Sequence, residues 1–421
     1  MRSPWVLIMF LAITSVPALA AKLTTVEQLR QTLAANETAH QSDDVLVQQF
    51  ANIRLTTRLS SDALRQLAVL SPGPKTTQAL HAIADAATFL DPPPDEIPAT
   101  AAPGAAEQSA IFDRALHYVV HILPALPNFL ATRVTEHYAD TMRGLEEQEA
   151  VQRGELYLIG VHEAPISYRD GRETDDPIVA AASVAPEKRD HGKGTKPTSI
   201  ADHLGGLSSW GEFGPILKVV LGDSIKGKLS WARWEMEDGK PAAVYQFVVD
   251  RSNSHYGVSY CCEITAEATS AGLSQAKHPI LLRQIGYHGN LEVDPETGSI
   301  LRLTIVADLQ SEDPIQRAAM MVEYGPVKIG EHTQICPTHS VSVTVSRIEV
   351  KSHGEVDSAK RMLLNDVQFT NYHRFGSEST VITELPASSG QAGESPGAAP
   401  TTQPAASSPT STPTSPAPKE D

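Results

Sequence analysis

Apolar and polar residues alternate most regularly between Tyr287 and Leu309, in YHGNLEVDPETGSILRLTIVADL. Tyr287, Gly289, Leu291 and Val293 alternate with His288, Asn290 and Glu292 before DPETG. After it, Leu301, Leu303, Ile305 and Ala307 alternate with Arg302, Thr304 and Val306. A period of two predicts two strands, each with one drier face. In the connection Pro295 presets φ for the second position of a type I turn and Gly298 supplies the left-handed residue. The pair therefore reads as a β-hairpin whose register is fixed locally.

Between Leu23 and Leu90 the period lengthens to that of a helix. Thr24 with Glu27 and Thr25 with Gln28 are both capping-box spacings, and Val26, Leu29 and Leu33 share the face that follows. Amphipathic stretches at Asp43 to Ala51, Ser61 to Leu70 and Lys75 to Leu90 complete three or four short helices suited to packing on one another or on a sheet. Asp91 to Gly104, DPPPDEIPATAAPG, has too few amide protons to hold a helix and reads as a linker or a wrapped extended segment. A longer helix is predicted from Ala105 to Leu123, stopped by Pro124 and Pro127.

Beyond Pro127 the pattern turns to strands: FLATRVTEHYADT, ELYLIGVHE, PISYRDGRE, then Lys228 to Glu235, Ala243 to Val249 and Ser254 to Ile264. After the hairpin come MMVEYG, VKIGEHTQIC, HSVSVTVSRIEV, DVQFTNYHRF and STVITE, a long antiparallel meander. A charged Gly- and Pro-containing loop is predicted between Thr174 and Ser199. Ile216, Leu217, Val219, Val220 and Leu221 suit a helix lying over the sheet. From Pro386 the composition collapses to Pro, Ser, Thr, Ala and Gly, which predicts a disordered tail, either solvated or a tether.

The first twenty residues change the picture from fold to location. Arg2, an apolar run from Trp5 to Val16 and the ending Ala18, Leu19, Ala20 predict a cleaved secretory signal peptide, and hence a periplasmic or extracellular protein. The apolar run is short for a membrane span, and no later stretch approaches one, so no transmembrane segment is expected. A net charge of -16 without a basic run argues against nucleic acid as a partner. Three cysteines permit at most one internal bridge. Strand parity in HYGVSYCCEI favours Cys261 with Cys336 and leaves Cys262 on the drier face.

No motif of established chemistry emerges. GGLSSWGEFG has the wrong spacing for a nucleophile elbow, and HGKGTK lacks the first glycine and preceding strand of a phosphate loop. His117 and His121 lie four residues apart, but without a glutamate or third ligand nearby they read as a satisfied pair. Neither a metal nor another cofactor is expected.

The long strands from about Pro127 to Glu384, with turns such as YRDG and VDPETG, resemble the half-barrel of the outer-membrane lipoprotein carriers and related sensor domains. GEFGPIL, YGPV and CP also resemble texts of a family of uncharacterised secreted bacterial proteins, which implies no activity. The carrier resemblance implies an acyl-binding concave face, here the one bearing Tyr245, Phe247, Tyr256, Val258 and Tyr260. Either the helices around Ala105 to Leu123 and Phe213 to Leu221 fill that concavity, making the aromatics core, or a cleft for an apolar or amphipathic ligand remains.

The expected fold class is α+β, with a signal peptide (1–20), a helical region (21–91), a Pro-rich linker (92–104), a helix plus a large curved antiparallel sheet (105–385) and a tail (386–421). The expected function is that of a non-enzymatic envelope protein binding a lipid-like ligand. An envelope hydrolase without a recognisable motif and an interaction module are the alternatives.

Overall fold

A computed structural model of the chain describes residues 22–50, 53–140, 156–174, 206–207, 211–261, 263–269, 272–278, 281–313, 315–352 and 355–374. The expected leader, the loop expected after Thr174, the strand expected at STVITE and the tail from Pro386 lie outside the described residues.

The amino-terminal helices are α1 (Val26–Ala39), α2 (Asp43–Phe50), α3 (Ser61–Val69) and α4 (Pro74–Ala87), with β1 (Lys22–Thr24) paired in parallel to β2 (Ile53–Leu55). The capping box of α1 is the one at Thr25: its hydroxyl accepts from the Gln28 amide while the Gln28 side chain accepts from the Thr25 amide. Leu29, Leu33, Leu46, Phe50, Leu67 and Leu80 make a small core of their own. The Pro-rich segment is wrapped onto the sheet: the Ala101 carbonyl accepts from the Trp234 indole, and Glu96 accepts from Ser60. The next helix, α5 (Ala105–His117), continues as a π turn over Tyr118–Ile122 and a 3-10 turn over Leu123–Ala125 before Pro127 ends it.

The strands then run β3 (Phe129–Asp140), β4 (Leu156–Arg169), β5 (Arg172–Thr174) and β6 (Gly206–Leu207), before α6 (Pro215–Lys226). They continue as β7 (Lys228–Glu237), β8 (Lys240–Val249), β9 (Gly257–Cys261), β10 (Glu263–Thr269), β11 (Gly272–His278) and β12 (Leu281–Gln284). The last five are β13 (Tyr287–Val293), β14 (Ile300–Ala307), β15 (Ile315–Ile329), β16 (His332–Ser352) and β17 (Glu355–Arg374). The fold is α+β as the pattern predicts: ten strands form one open antiparallel path, β5-β4-β3-β17-β16-β15-β14-β13-β8-β7. The β10-β11 hairpin joins it through a parallel pairing of β10 with β16, and β12-β9-β6 form a separate small sheet. ELYLIGVHE and the PISYR of PISYRDGRE, read as two strands, are one, β4, and the DG turn leads into β5. Pro165 is accommodated inside β4 because β5 pairs only with Ser167–Arg169, so no partner strand needs an amide from Pro165 there.

The predicted hairpin pairs Tyr287 with Ala307 through to Leu291 with Leu303. Its turn is locked by the Asp294 carboxylate, which accepts from the Glu296 and Thr297 amides, and by Gly298 at φ 76°. Gly298 lies so close to α5 that a Cβ there would sit 2.4 Å from the Arg114 carbonyl carbon.

One face of the sheet is covered by α5 and α6. Phe213, Leu217, Val220 and Leu221 from the α6 side pack with Tyr245, Phe247, Leu291, Leu303, Ile305 and Val322 from the strands. Phe213 also lies among the rings of Phe129, Tyr168, Phe369 and Tyr372, with centroids 5.3–6.3 Å away. The texts GEFGPIL, YGPV and CP meet here. The Tyr324 hydroxyl donates to the Glu212 carbonyl, Glu212 pairs with Arg133 at 3.0 Å, and Cys336 and Pro337 oppose Gly325 and Tyr324 across β15 and β16. Their role in the fold is to close this core.

Cys336 corrects one expectation. It is a free, fully buried thiol rather than half of a bridge to Cys261, and burial pushes its pKa up to about 12, so it stays protonated and unreactive. Strand parity names the side a residue faces and does not fix which strands lie close enough to bridge. Cys262 lies outside the described residues.

Candidate functional site

Four of the five residues expected to line a ligand site, Tyr245, Phe247, Tyr256 and Val258, are engaged in packing. Tyr245 and Phe247 are buried beneath α5: the Tyr245 hydroxyl donates to the Gln108 carbonyl at 2.6 Å, and its ring lies 5.7 Å from that of Phe112. Tyr256 packs against Tyr287 with tilted rings, their centroids 5.1 Å apart. Val258 belongs to a small separate cluster with Ile285, Ala307, Ile315 and Ala318. The side chain of Tyr260 lies outside the described part of β9. Of the two outcomes left open by the sequence, the covering helices filling the sheet is the one observed for Tyr245 and Phe247.

A large cavity lies on the opposite face. Between the layer of α2, β2 and α4 and the ends of β3, β4, β15, β16 and β17 is a cleft of about 610 Å³. Its floor and walls are apolar, with Phe50, Leu55, Ala82, Ile83, Val345 and Met362 among them. The layer stands off the sheet here because α4 presents alanines: Ala79, Ala82 and Ala86 recur at helical spacing on the side that lines the cleft. Three cations, Arg54, Arg317 and Lys360, reach its exposed margin, and Leu90 and Tyr157 stand exposed beside them. The Arg317 guanidinium lies 5.4 Å from the centre of the Phe89 ring. Asp140 is the acid of the lining. Burial pushes its pKa up to about 6, against the Met362 amide it accepts from and the nearby Arg361 and Arg54.

Beside the cleft the same face carries a ladder of charges. His339, Glu323, Arg302 and Glu292 are direct cross-strand partners on β16, β15, β14 and β13. The hairpin register creates it: Leu291 and Leu303 enter the core on one side, so Glu292 and Arg302 must point to the other. Arg58, 4% exposed, descends from the helical layer onto Glu292 at 3.0 Å and Glu235 at 2.9 Å. Arg302 bonds Glu292 at 3.3 Å and the carbonyl of Thr88 at the end of α4. Burial opposes ionisation of Glu292, yet Arg58 and Arg302 outweigh it and hold the carboxyl below its ordinary range. The ladder therefore fastens the helical layer to the sheet and fixes the position of α4 over the cleft.

His117 and His121 come together, their ring centres 4.8 Å apart, but on the exposed side of α5, away from these features. No protein-family model, curated protein or solved structure matches the chain. The site is therefore read from its own chemistry. No helix among the described residues is long and apolar enough to cross a membrane.

Proposed function

We propose that the protein binds an amphipathic anion, a single acyl-type chain with a carboxylate or similar head, in the cleft under α2 and α4. The observation that carries this reading is an apolar cleft of about 610 Å³ bordered by Arg54, Arg317 and Lys360. That volume falls in the range used for small ligands. Each methylene taken from water contributes about 0.8 kcal/mol, so the chain supplies the affinity. The cations orient the head at the open margin, where solvent limits each to roughly 0.5 to 1 kcal/mol. Export through the amino-terminal leader belongs to the same proposal, since a protein outside the cytoplasm meets membrane-derived amphiphiles. The reading keeps the ligand class expected from the sequence and moves the site to the other face of the sheet.

The test compares dodecanoate with dodecanol on the wild-type chain and on Lys360→Glu combined with Arg317→Glu. Both ligands are expected to bind saturably to the wild type. The double variant is expected to lose about 5- to 30-fold affinity for dodecanoate, from two exposed pairs, and little for dodecanol. Equal losses for both, or no binding of either, would reject an oriented amphiphile.

A further inference from the structure

At the end of the ladder, α4 and the sheet bring two further carboxylates, Asp85 and Asp366, onto His339. Asp85 from α4, His339 from β16 and Asp366 from β17 each point one ligand atom to a common place, all within 4.8 Å of one another. His339 Nε2 lies 3.0 Å from Asp366 Oδ1 and 3.5 Å from Asp85 Oδ1. Ligand atoms held about 2.1 Å from one ion at tetrahedral or octahedral angles are separated by about 3.0 to 3.4 Å. The 3.0 Å spacing falls in that range and the 3.5 Å spacing lies just beyond it.

The histidine is also set up from behind. Its Nδ1 faces Glu323 Oε2 at 3.3 Å, and Glu323 is itself held by the Ser61 hydroxyl at 2.8 Å. A carboxylate accepting from Nδ1 fixes the tautomer that leaves the Nε2 lone pair for a metal, the usual arrangement behind metal-bound histidines. A second, independent sign is Asp85. It is 2% exposed, and its Oδ2 has no hydrogen-bond partner, which is costly for a buried carboxylate unless something positive meets it. Three carboxylates surround one imidazole here; Arg302 is shared between Glu292 at 3.3 Å and Glu323 at 3.7 Å, and no ion pair joins it to Asp85 or Asp366 among the described residues. The side chain of His339 remains 16% open to solvent, which gives an ion a way in.

We propose that Asp85, His339 and Asp366 form a binding site for one divalent transition-metal ion of the Mn²⁺ to Zn²⁺ series, with Glu323 as the residue that positions His339. One imidazole with two carboxylates suits this series better than Mg²⁺ or Ca²⁺, which favour all-oxygen sites. The ion would tie α4 to β16 and β17. The inference rests on this cluster alone and stands or falls separately from ligand binding in the cleft.

The test uses the untagged chain, stripped with chelator and titrated with Mn²⁺ while the free ion is followed by electron paramagnetic resonance, with Zn²⁺ as competitor. One Mn²⁺ per chain is expected, displaced by Zn²⁺ and not by equimolar Mg²⁺. Asp85→Asn and His339→Gln are expected to abolish binding, whereas His117→Ala with His121→Ala leaves it unchanged. Should the ligand variants fail to fold, Glu323→Gln carries the test. It keeps all three ligands and is expected to bind 10- to 100-fold more weakly, the usual effect of removing such a support. The proposal is overturned by no stoichiometric binding, by binding that survives both ligand variants, by binding lost with the His117 and His121 pair, or by full affinity in folded Glu323→Gln.

Discussion

Arg58 ties the helical layer to the sheet through buried charge. Its guanidinium meets two carboxylates, Glu235 and Glu292, that are themselves almost wholly enclosed. Removing one partner of such a group leaves charge buried without compensation, at a cost of about 3 to 5 kcal/mol. Arg58→Ala is therefore expected to lower the unfolding free energy by that amount in a denaturant titration, and a loss below about 1 kcal/mol would show that the ladder does not hold the helices down. Asp140 acts in the opposite sense. Its folded pKa of about 6 exceeds the ordinary value of 3.8, so its contribution to stability is fully present below pH 4 and is lost as pH rises through about 6. Asp140→Asn keeps the acceptor for the Met362 amide and removes the charge. The variant is expected to be more stable than the wild type at pH 7, with the difference shrinking to nothing near pH 4. A difference independent of pH would contradict the assignment.

Among the elements, the β13-β14 hairpin was fully legible in the sequence, because its information is local: alternation sets the faces and the DPETG turn sets the register. Gly298 carries a second constraint that alternation cannot reveal, the close approach of α5. Gly298→Ala combines a left-handed backbone with a clash against the Arg114 carbonyl and is expected to cost about 1 to 3 kcal/mol. Gly239, at φ 74° with open space around it, serves as the control: Gly239→Ala is expected to cost only the backbone part. Equal losses in the two variants, read from thermal unfolding, would remove the contact with α5 from the account. The α1 helix was legible for the same local reason, and only the choice between Thr24 and Thr25 as its cap needed the structure.

The candidate site was far less legible, because it depends on how distant elements meet. The tyrosines and Phe247 of β8 and β9 announced an apolar face, but nothing in the strands tells whether helices elsewhere in the chain, α5 more than 100 residues away among them, will fill it. Conversely, Asp140, Arg317 and Lys360 look like ordinary solvated charges until the strands are placed side by side under α4. Glu323 interrupts an apolar run, which is a visible signal, whereas Glu292 and Arg302 sit at ordinary polar positions of the hairpin alternation. Their meeting in one row with His339 follows from a register spread over more than forty residues. Cys336 makes the same point: parity selected a partner, while the chain path left the thiol alone in the core.

For the whole molecule, the space between the helical layer and the sheet is the proposed binding cleft. Ala86 stands on the exposed side of α4, at the cleft lining and outside the packed cores. Ala86→Trp therefore plugs the cleft without disturbing what holds the layers together. The deciding measurement is calorimetric titration of dodecanoate into the wild-type chain and into Ala86→Trp, both checked for the same unfolding temperature. One dodecanoate bound per wild-type chain and none by Ala86→Trp is the expected result; equal binding by both, or none by the wild type, would contradict the account.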